Sequence, residues 1–123
     1  MIVGMSSSAA LAADWVEVSR AENGMITYYD AESVRVTGNT LRVWLRRDLS
    51  RVRTERARES RQQWEVDCVD RTESLLTFVD YGPDGRVIAS QTIPAYSRRV
   101  NAIVPDTVGE TIANAVCAAS GLS

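Results

Sequence analysis

Histidine is absent from all 123 residues, and so is lysine: the fourteen basic residues are all arginine. Without His the chain lacks the commonest general base and the commonest imidazole metal ligand. Cysteine occurs only twice, as Cys68 and Cys117. If these two pair, no thiolate is left, and a zinc, copper or haem site would have to use carboxylates and Met, a poor donor set. No cofactor, no metal and no enzymatic activity are therefore expected. Nowhere does the chain approach the roughly 20 consecutive apolar residues of a membrane-spanning helix. It has no internal repeat and no low-complexity linker. Sixteen acids against fourteen Arg leave a net charge of −2, which predicts no general attraction to nucleic acid or to a membrane surface. The length suits one domain. Hydrophobic content of 45% and charged content of 24% are those of an ordinary globular chain with a core of its own.

Residues 1–13, MIVGMSSSAALAA, are small and apolar, and Ala10 and Ala12 satisfy the small-x-small rule for cleavage after Ala12. The basic n-region is missing, and Ser6, Ser7 and Ser8 interrupt the apolar stretch. The segment is read as the end of a secretion signal whose start lies upstream, the alternative being a disordered N-terminal tail. Residues 1–12 are then a signal remnant and residues 13–123 one exported domain. No Cys follows the cleavage point, so a lipid anchor at the new N-terminus is not available. Export places the two thiols in an oxidising compartment.

Along the chain, Trp15-Val16-Glu17-Val18 predicts a short opening strand and Glu22-Asn23-Gly24 a hairpin turn. Met25 to Asp30 is β-branched and aromatic, which suits a strand. Ala31-Glu32-Ser33 predicts a turn, and Val34-Arg35-Val36 leads into a second hairpin signal at Gly38-Asn39. Leu41, Val43 and Leu45 alternate with Arg42, Trp44 and Arg46, the period of a strand with one buried face. Gln62 to Arg71 resumes strand character, with Trp64, Val66 and Cys68 on one face. Leu75 to Tyr81 is the next strand, Gly82-Pro83-Asp84-Gly85 a turn, and Arg86 to Ile93 the antiparallel return. Pro94 to Pro105 predicts an irregular connection.

The last element is a helix. Thr107 and Glu110 form a capping box just after Pro105. Val108, Ile112, Ala115, Val116 and Ala119 recur at helical spacing as a narrow apolar stripe. Cys117 lies nearly opposite the centre of that stripe on an ideal helix. Either the helix is sandwiched between sheet and loop, or its last turn departs from ideal geometry. The expected fold is α+β: an antiparallel sheet of about six strands in meander order, with one C-terminal helix packed on it and a disulfide from strand to helix.

Residues 46–61, RRDLSRVRTERARESR, differ from the rest. Seven Arg and three acids give +4 here, while the other 107 residues, with seven Arg and thirteen acids, give −6. The segment reads as a long exposed excursion between two strands, with a short helix open to it because Glu55 and Glu59 meet Arg at helical spacing. Arg46, Arg47, Arg51, Arg53, Arg56 and Arg58 are the candidate binding residues, since guanidinium forks grip phosphate and carboxylate in pairs. The competing reading is a solvated loop. Trp44, flanked by Arg42 and Arg46 and facing away from Leu41, Val43 and Leu45, joins them as a candidate hot spot, unless the helix or a loop covers it.

Other constellations carry less. Cys68 and Cys117 are far from Cys-x-x-Cys spacing with no base beside them, so a structural crosslink worth about 4 kcal/mol is favoured over a redox pair or two buried thiols. Glu65 and Asp67 share a strand face with Asp70 nearby, which suits an acid/base pair or, more plainly, a solvent face. Ser97 beside Arg98 and Arg99 has no base. Tyr28, Tyr29, Tyr81 and Tyr96 read as sheet packing rather than a ligand cage.

Trp64-Glu65-Val66-Asp67-Cys68 resembles the surface-adhesin protein E family, and further landmarks agree in order. These are Trp15, Tyr28-Tyr29-Asp30 with Ser33-Val34, Val43-Trp44, Ser60, Asp84-Gly85, and finally Val104-Pro105-Asp106-Thr107 with Glu110 and Val116-Cys117. The resemblance covers roughly residues 15–118. It implies an exported protein of a Gram-negative envelope, periplasmic or at the cell surface, with an antiparallel sheet to which a disulfide ties a helix. It also implies action by binding, to a protein or an anionic envelope or matrix component, without catalysis. The chain departs from the family's pattern in lacking a lipobox Cys and Lys-rich segments. The alternative function is a secreted inhibitor or accessory factor of an envelope enzyme. An exposed edge strand leaves a homodimer open.

Overall fold

The computed structural model describes residues 12–122. The expected signal remnant therefore lies outside the described residues, except for Ala12. The strands are β1 (Trp15–Arg20), β2 (Ile26–Asp30), β3 (Arg35–Thr37), β4 (Thr40–Asp48), β5 (Glu59–Asp67), β6 (Thr72–Tyr81), β7 (Val87–Thr92) and β8 (Asn101–Ala102). Helix α1 (Val108–Ser120) follows. Every pairing is antiparallel, and the main path β1-β2-β4-β5-β6-β7 follows chain order. This is the expected six-strand meander with two short additions. β2 pairs with β4 from Ile26↔Asp48 to Tyr29↔Leu45, and β3 takes the remaining stretch of that edge from Arg35↔Arg42 to Thr37↔Thr40. β8 likewise takes the part of β6 that β7 leaves free. It interrupts the connection that was expected to be irregular throughout.

The alternation in β4 sets the layer order. Leu41, Val43 and Leu45 face the helix, and the register Leu41↔Val66 and Val43↔Trp64 puts Trp64, Val66 and Cys68 on the same side. Tyr29 joins from β2, and Ile112, Ala113, Val116 and Cys117 close the core from α1. Cys68 and Cys117 form a disulfide with their Cα atoms 5.9 Å apart. Opposite Gln63 and Trp64, β6 carries one extra residue, Leu76, which is buried and whose carbonyl accepts from the Ile93 N–H. This bulge bends β6 where its edge passes from β8 to β7.

Two sequence expectations need correction. The buried face of α1 is Ile112, Ala113, Val116 and Cys117, while Ala119 is exposed and Val108 and Ala115 are half-buried. The helix is thus turned from the expected stripe toward Cys117, with normal helical geometry to Ser120. Ala113, without bulk, lets the helix lie close to the sheet, and the Cys68 tether holds that rotation. The second correction is the excursion. β4 runs on to Asp48 and β5 begins at Glu59, so only residues 49–58 form a loop, and it contains no helix. Leu49 and Val52 are buried and anchor it. Gly24, at φ +98°, sits so close that a Cβ there would meet Arg51 Cβ at 2.9 Å, which ties the β1–β2 turn to this loop.

The helix start follows its sequence signature. Thr107 Oγ1 accepts the Glu110 N–H at 3.2 Å, and the Glu110 carboxylate reaches back to the Asp106 N–H at 3.1 Å. That return bond falls one residue further out than a standard capping box. Thr107→Ala removes the cap acceptor and is expected to cost about 1 kcal/mol, read as a lower urea midpoint with an unchanged slope. At the other end Gly121, at φ +79°, closes α1, and Leu122 N–H returns to the Cys117 carbonyl at 2.9 Å. This leaves Leu122 packed against the core.

Candidate interaction face

With α1 on one side of the sheet, the side chains at the alternate register positions lie on the other. Directly opposed pairs share a face, so Tyr28↔Arg46, Trp44↔Gln63, Arg46↔Arg61, Arg61↔Val79 and Glu59↔Tyr81 together build it. Trp15, paired with Asp30, adds a second indole from β1. Trp44 stands on the helix-free face, half-buried among neighbours on its own sheet.

Arg46 and Arg61 oppose each other directly, which would be repulsive. Glu59 resolves this by taking both, with Oε1 3.3 Å from Arg46 Nε and Oε2 2.5 Å from Arg61 Nε. The rings hold the guanidiniums as well. Arg46 lies over Tyr28 at 5.2 Å, and Arg61 lies within reach of both Trp15 at 5.6 Å and Tyr81 at 5.8 Å. Asp48 accepts from the Ser50 N–H at 2.9 Å. The Ser50 hydroxyl first, then this backbone contact and the charges of Arg46 and Arg51, hold its pKa below the usual carboxylate value.

Two open hollows flank Arg61. One, of about 490 Å³, lies between the loop base and the β6–β7 turn and is rimmed by Arg46, Arg58, Arg61, Asp48 and Glu59. The other, of about 280 Å³, is walled by Trp15, Trp44, Val79 and Tyr81. Arg61 and Tyr81 belong to both.

The residues expected to bind are only partly brought together. Trp44, Arg46 and Arg58 converge on this face. Arg51 and Arg53 border a separate hollow on the loop, and Arg56 is exposed beside it. Arg58 donates to the Ser50 carbonyl at 2.7 Å, and its own N–H bonds to the Tyr81 carbonyl. Arg47 is on the helix side: its guanidinium lies over Trp64 at 5.9 Å, opposite Thr27 in the β2–β4 ladder. Burial lowers its pKa, opposed by Glu73, whose own carboxyl is raised by burial against the pull of Asn101 and Arg47. Sequence reading missed Trp15, Arg61, Val79 and Tyr81 as members of one surface. Arg61 fell inside the supposed excursion, and the others become neighbours only through strand register.

Of the remaining candidates, Glu65, Asp67 and Tyr29 are engaged in structural contacts. Glu65 pairs with Arg42 at 3.0 Å across the strands. Asp67 accepts from the Val69 and Asp70 N–H groups and shapes the β5–β6 turn. Tyr29 is core, whereas Tyr96 is 91% exposed. Among the described residues no helix is long and apolar enough to cross a membrane.

A family model for surface-adhesin protein E matches residues 15–118. The chain belongs to the surface-adhesin protein E family. Solved structures with its fold include protein E of Haemophilus influenzae in crystal form II, at 18% identity and a TM-score of 0.64, covering 98% of this chain and 99% of that one. A second structure of the same protein gives 17% identity and a TM-score of 0.64, covering 97% and 95%. Protein E from non-typeable Haemophilus influenzae gives 17% identity and a TM-score of 0.58, covering 97% and 85%. A search of curated proteins by sequence finds no match. At these identities the structural likeness carries the fold, and the family model carries the membership.

Proposed function

We propose that this chain is an exported envelope protein, periplasmic or at the cell surface, that acts by binding and has no catalytic activity. Its contact surface is the helix-free face with the adjoining arginine loop, and residues 1–12 are lost on export. One observation carries this reading. Trp15, Trp44, Tyr28, Tyr81, Arg46 and Arg61 share the side of the sheet that the helix leaves uncovered. Trp, Tyr and Arg are the residues that dominate binding hot spots. Arginines already clamped by a carboxylate and by rings lose little freedom when a partner arrives. The anchored 49–58 loop supports a second reading, an inhibitor or accessory factor that presents this loop to an envelope enzyme.

Affinity capture from envelope extract separates the two. A face variant, Trp44→Ser with Arg46→Gln, is expected to lose at least about tenfold of the captured partner, and raised salt to weaken capture by the native protein. A loop variant with Arg51, Arg53 and Arg56 all changed to Ser is expected to lose less. Loss confined to the loop variant favours the inhibitor reading. Capture unchanged in both variants rejects this contact surface.

A further inference from the structure

The two hollows beside Arg61 differ in chemistry and share a wall. The smaller, about 280 Å³, falls below the ~300–1,000 Å³ of pockets that enclose a whole small molecule. Its size and its Trp15, Trp44 and Val79 walls suit one large apolar side chain, and the Asp30 carboxylate on its rim is held by the Asp14 and Glu32 N–H groups. The larger is polar and charged: Arg46, Arg58 and Arg61 face Asp48 and Glu59, a surplus of one positive charge.

That surplus selects among anions. A doubly charged phosphate would enter beside two carboxylates and outweigh the surplus. A single carboxylate matches it. The donors are also in place. Arg46 and Arg61 meet Glu59 through Nε, and among the described residues their terminal Nη groups make no hydrogen bond. Guanidinium offers five N–H donors in a fixed fork, so an outward edge remains for a second carboxylate.

We propose that this bipartite hollow takes a short, bent segment of a partner protein in which a large apolar side chain stands next to an acidic one. The apolar side chain enters between Trp15 and Trp44, and the neighbouring carboxylate reaches Arg61 with Arg46 or Arg58. The inference rests on the binding reading above and names the partner's chemistry.

The three indole N–H groups provide the test. Trp15 and Trp44 line the apolar hollow. Trp64 Nε1–H donates to Gln62 Oε1 at 3.0 Å on the helix side and serves as the internal control. The ¹⁵N-labelled protein is titrated with the blocked peptide acetyl-Gly-Leu-Asp-Gly-amide, with the same peptide carrying Asn for Asp or Ala for Leu, and with inorganic phosphate. The Leu-Asp peptide is expected to shift the Trp15 and Trp44 signals and leave Trp64 in place. The Asn and Ala versions are each expected to bind at least about fivefold more weakly. In Arg61→Gln the Asp and Asn peptides become equal, while the unmoved Trp64 signal shows that the fold is kept. The proposal is overturned by equal affinity for Asp and Asn peptides in the native protein, by an Asp preference that survives Arg61→Gln, or by a Trp64 shift that accompanies the others. It is also overturned by phosphate producing the same shifts, or by no shift up to about 5 mM peptide. Any of these leaves partner capture by the face intact, so the peptide class falls without the binding reading.

Discussion

Replacing Cys68 and Cys117 together by alanine lowers the thermal midpoint by about 10–20 °C. The bond joins positions 49 residues apart. Chain-entropy arguments give a loop of that length about 4 kcal/mol, since the open chain regains the freedom the crosslink denies it. Both residues are almost wholly buried, so removing their sulfur atoms also forfeits packing. Calorimetry on the double variant measures the drop. A reducing agent is expected to produce a similar fall in the native protein and no further fall in the variant. A decrease of under about 3 °C in both experiments would mean that the sheet holds the helix without its tether.

The effect is expected to be large because little else secures α1. A 13-residue helix is marginal on its own in water. Its fully buried contacts are Ile112, Ala113, Val116 and Cys117, and two of these side chains are small. Losing the helix uncovers Leu41, Val43, Leu45 and Val66, all at or near zero exposure. The helix-free face is built from strand register and from Glu59. It is expected to persist in the variant below its melting temperature.

Much of this fold is legible in the sequence because alternation is a local property. The β4 pattern from Leu41 to Arg46 names its buried face, and Trp64, Val66 and Cys68 do the same for β5. The disulfide follows from there being only two cysteines and a mature domain read as exported. What escapes is whatever depends on pairing. β3 and β8 are three and two residues long, too short to show a period. Arg47 and Arg46 are adjacent in one charged run, yet the pleat sends them to opposite faces: one is half-buried over Trp64 and the other is paired with Glu59. Arg61 looks like part of a loop until β5 is seen to begin at Glu59. The interaction face is a product of register, because Trp15, Trp44, Arg61 and Tyr81 come from four different strands.

The helix rotation is the finding furthest from the sequence pattern, and a pair of substitutions tests it. Alanine carries almost no directional information, because Ala113, Ala115, Ala118 and Ala119 are equally acceptable on a buried or an exposed face. Periodicity alone therefore favoured the arc through Ala115 and Ala119. The structure buries Ala113 completely and exposes Ala119. Ala113→Arg forces a charged side chain between helix and sheet, into a cluster of buried apolar side chains. It is expected to cost more than about 3 kcal/mol and to leave little folded protein at 37 °C. Ala119→Arg puts the same group in solvent near the helix C-terminus, where a cation suits the dipole, and is expected to change stability by no more than about 0.5 kcal/mol. Chemical denaturation of the two variants reads the difference directly. Comparable losses at both positions would place Ala119 against the sheet and restore the stripe read from periodicity. A large loss at Ala113 alone ties the rotation to Cys117, since an arc containing Ala113 and Val116 carries Cys117 onto Cys68.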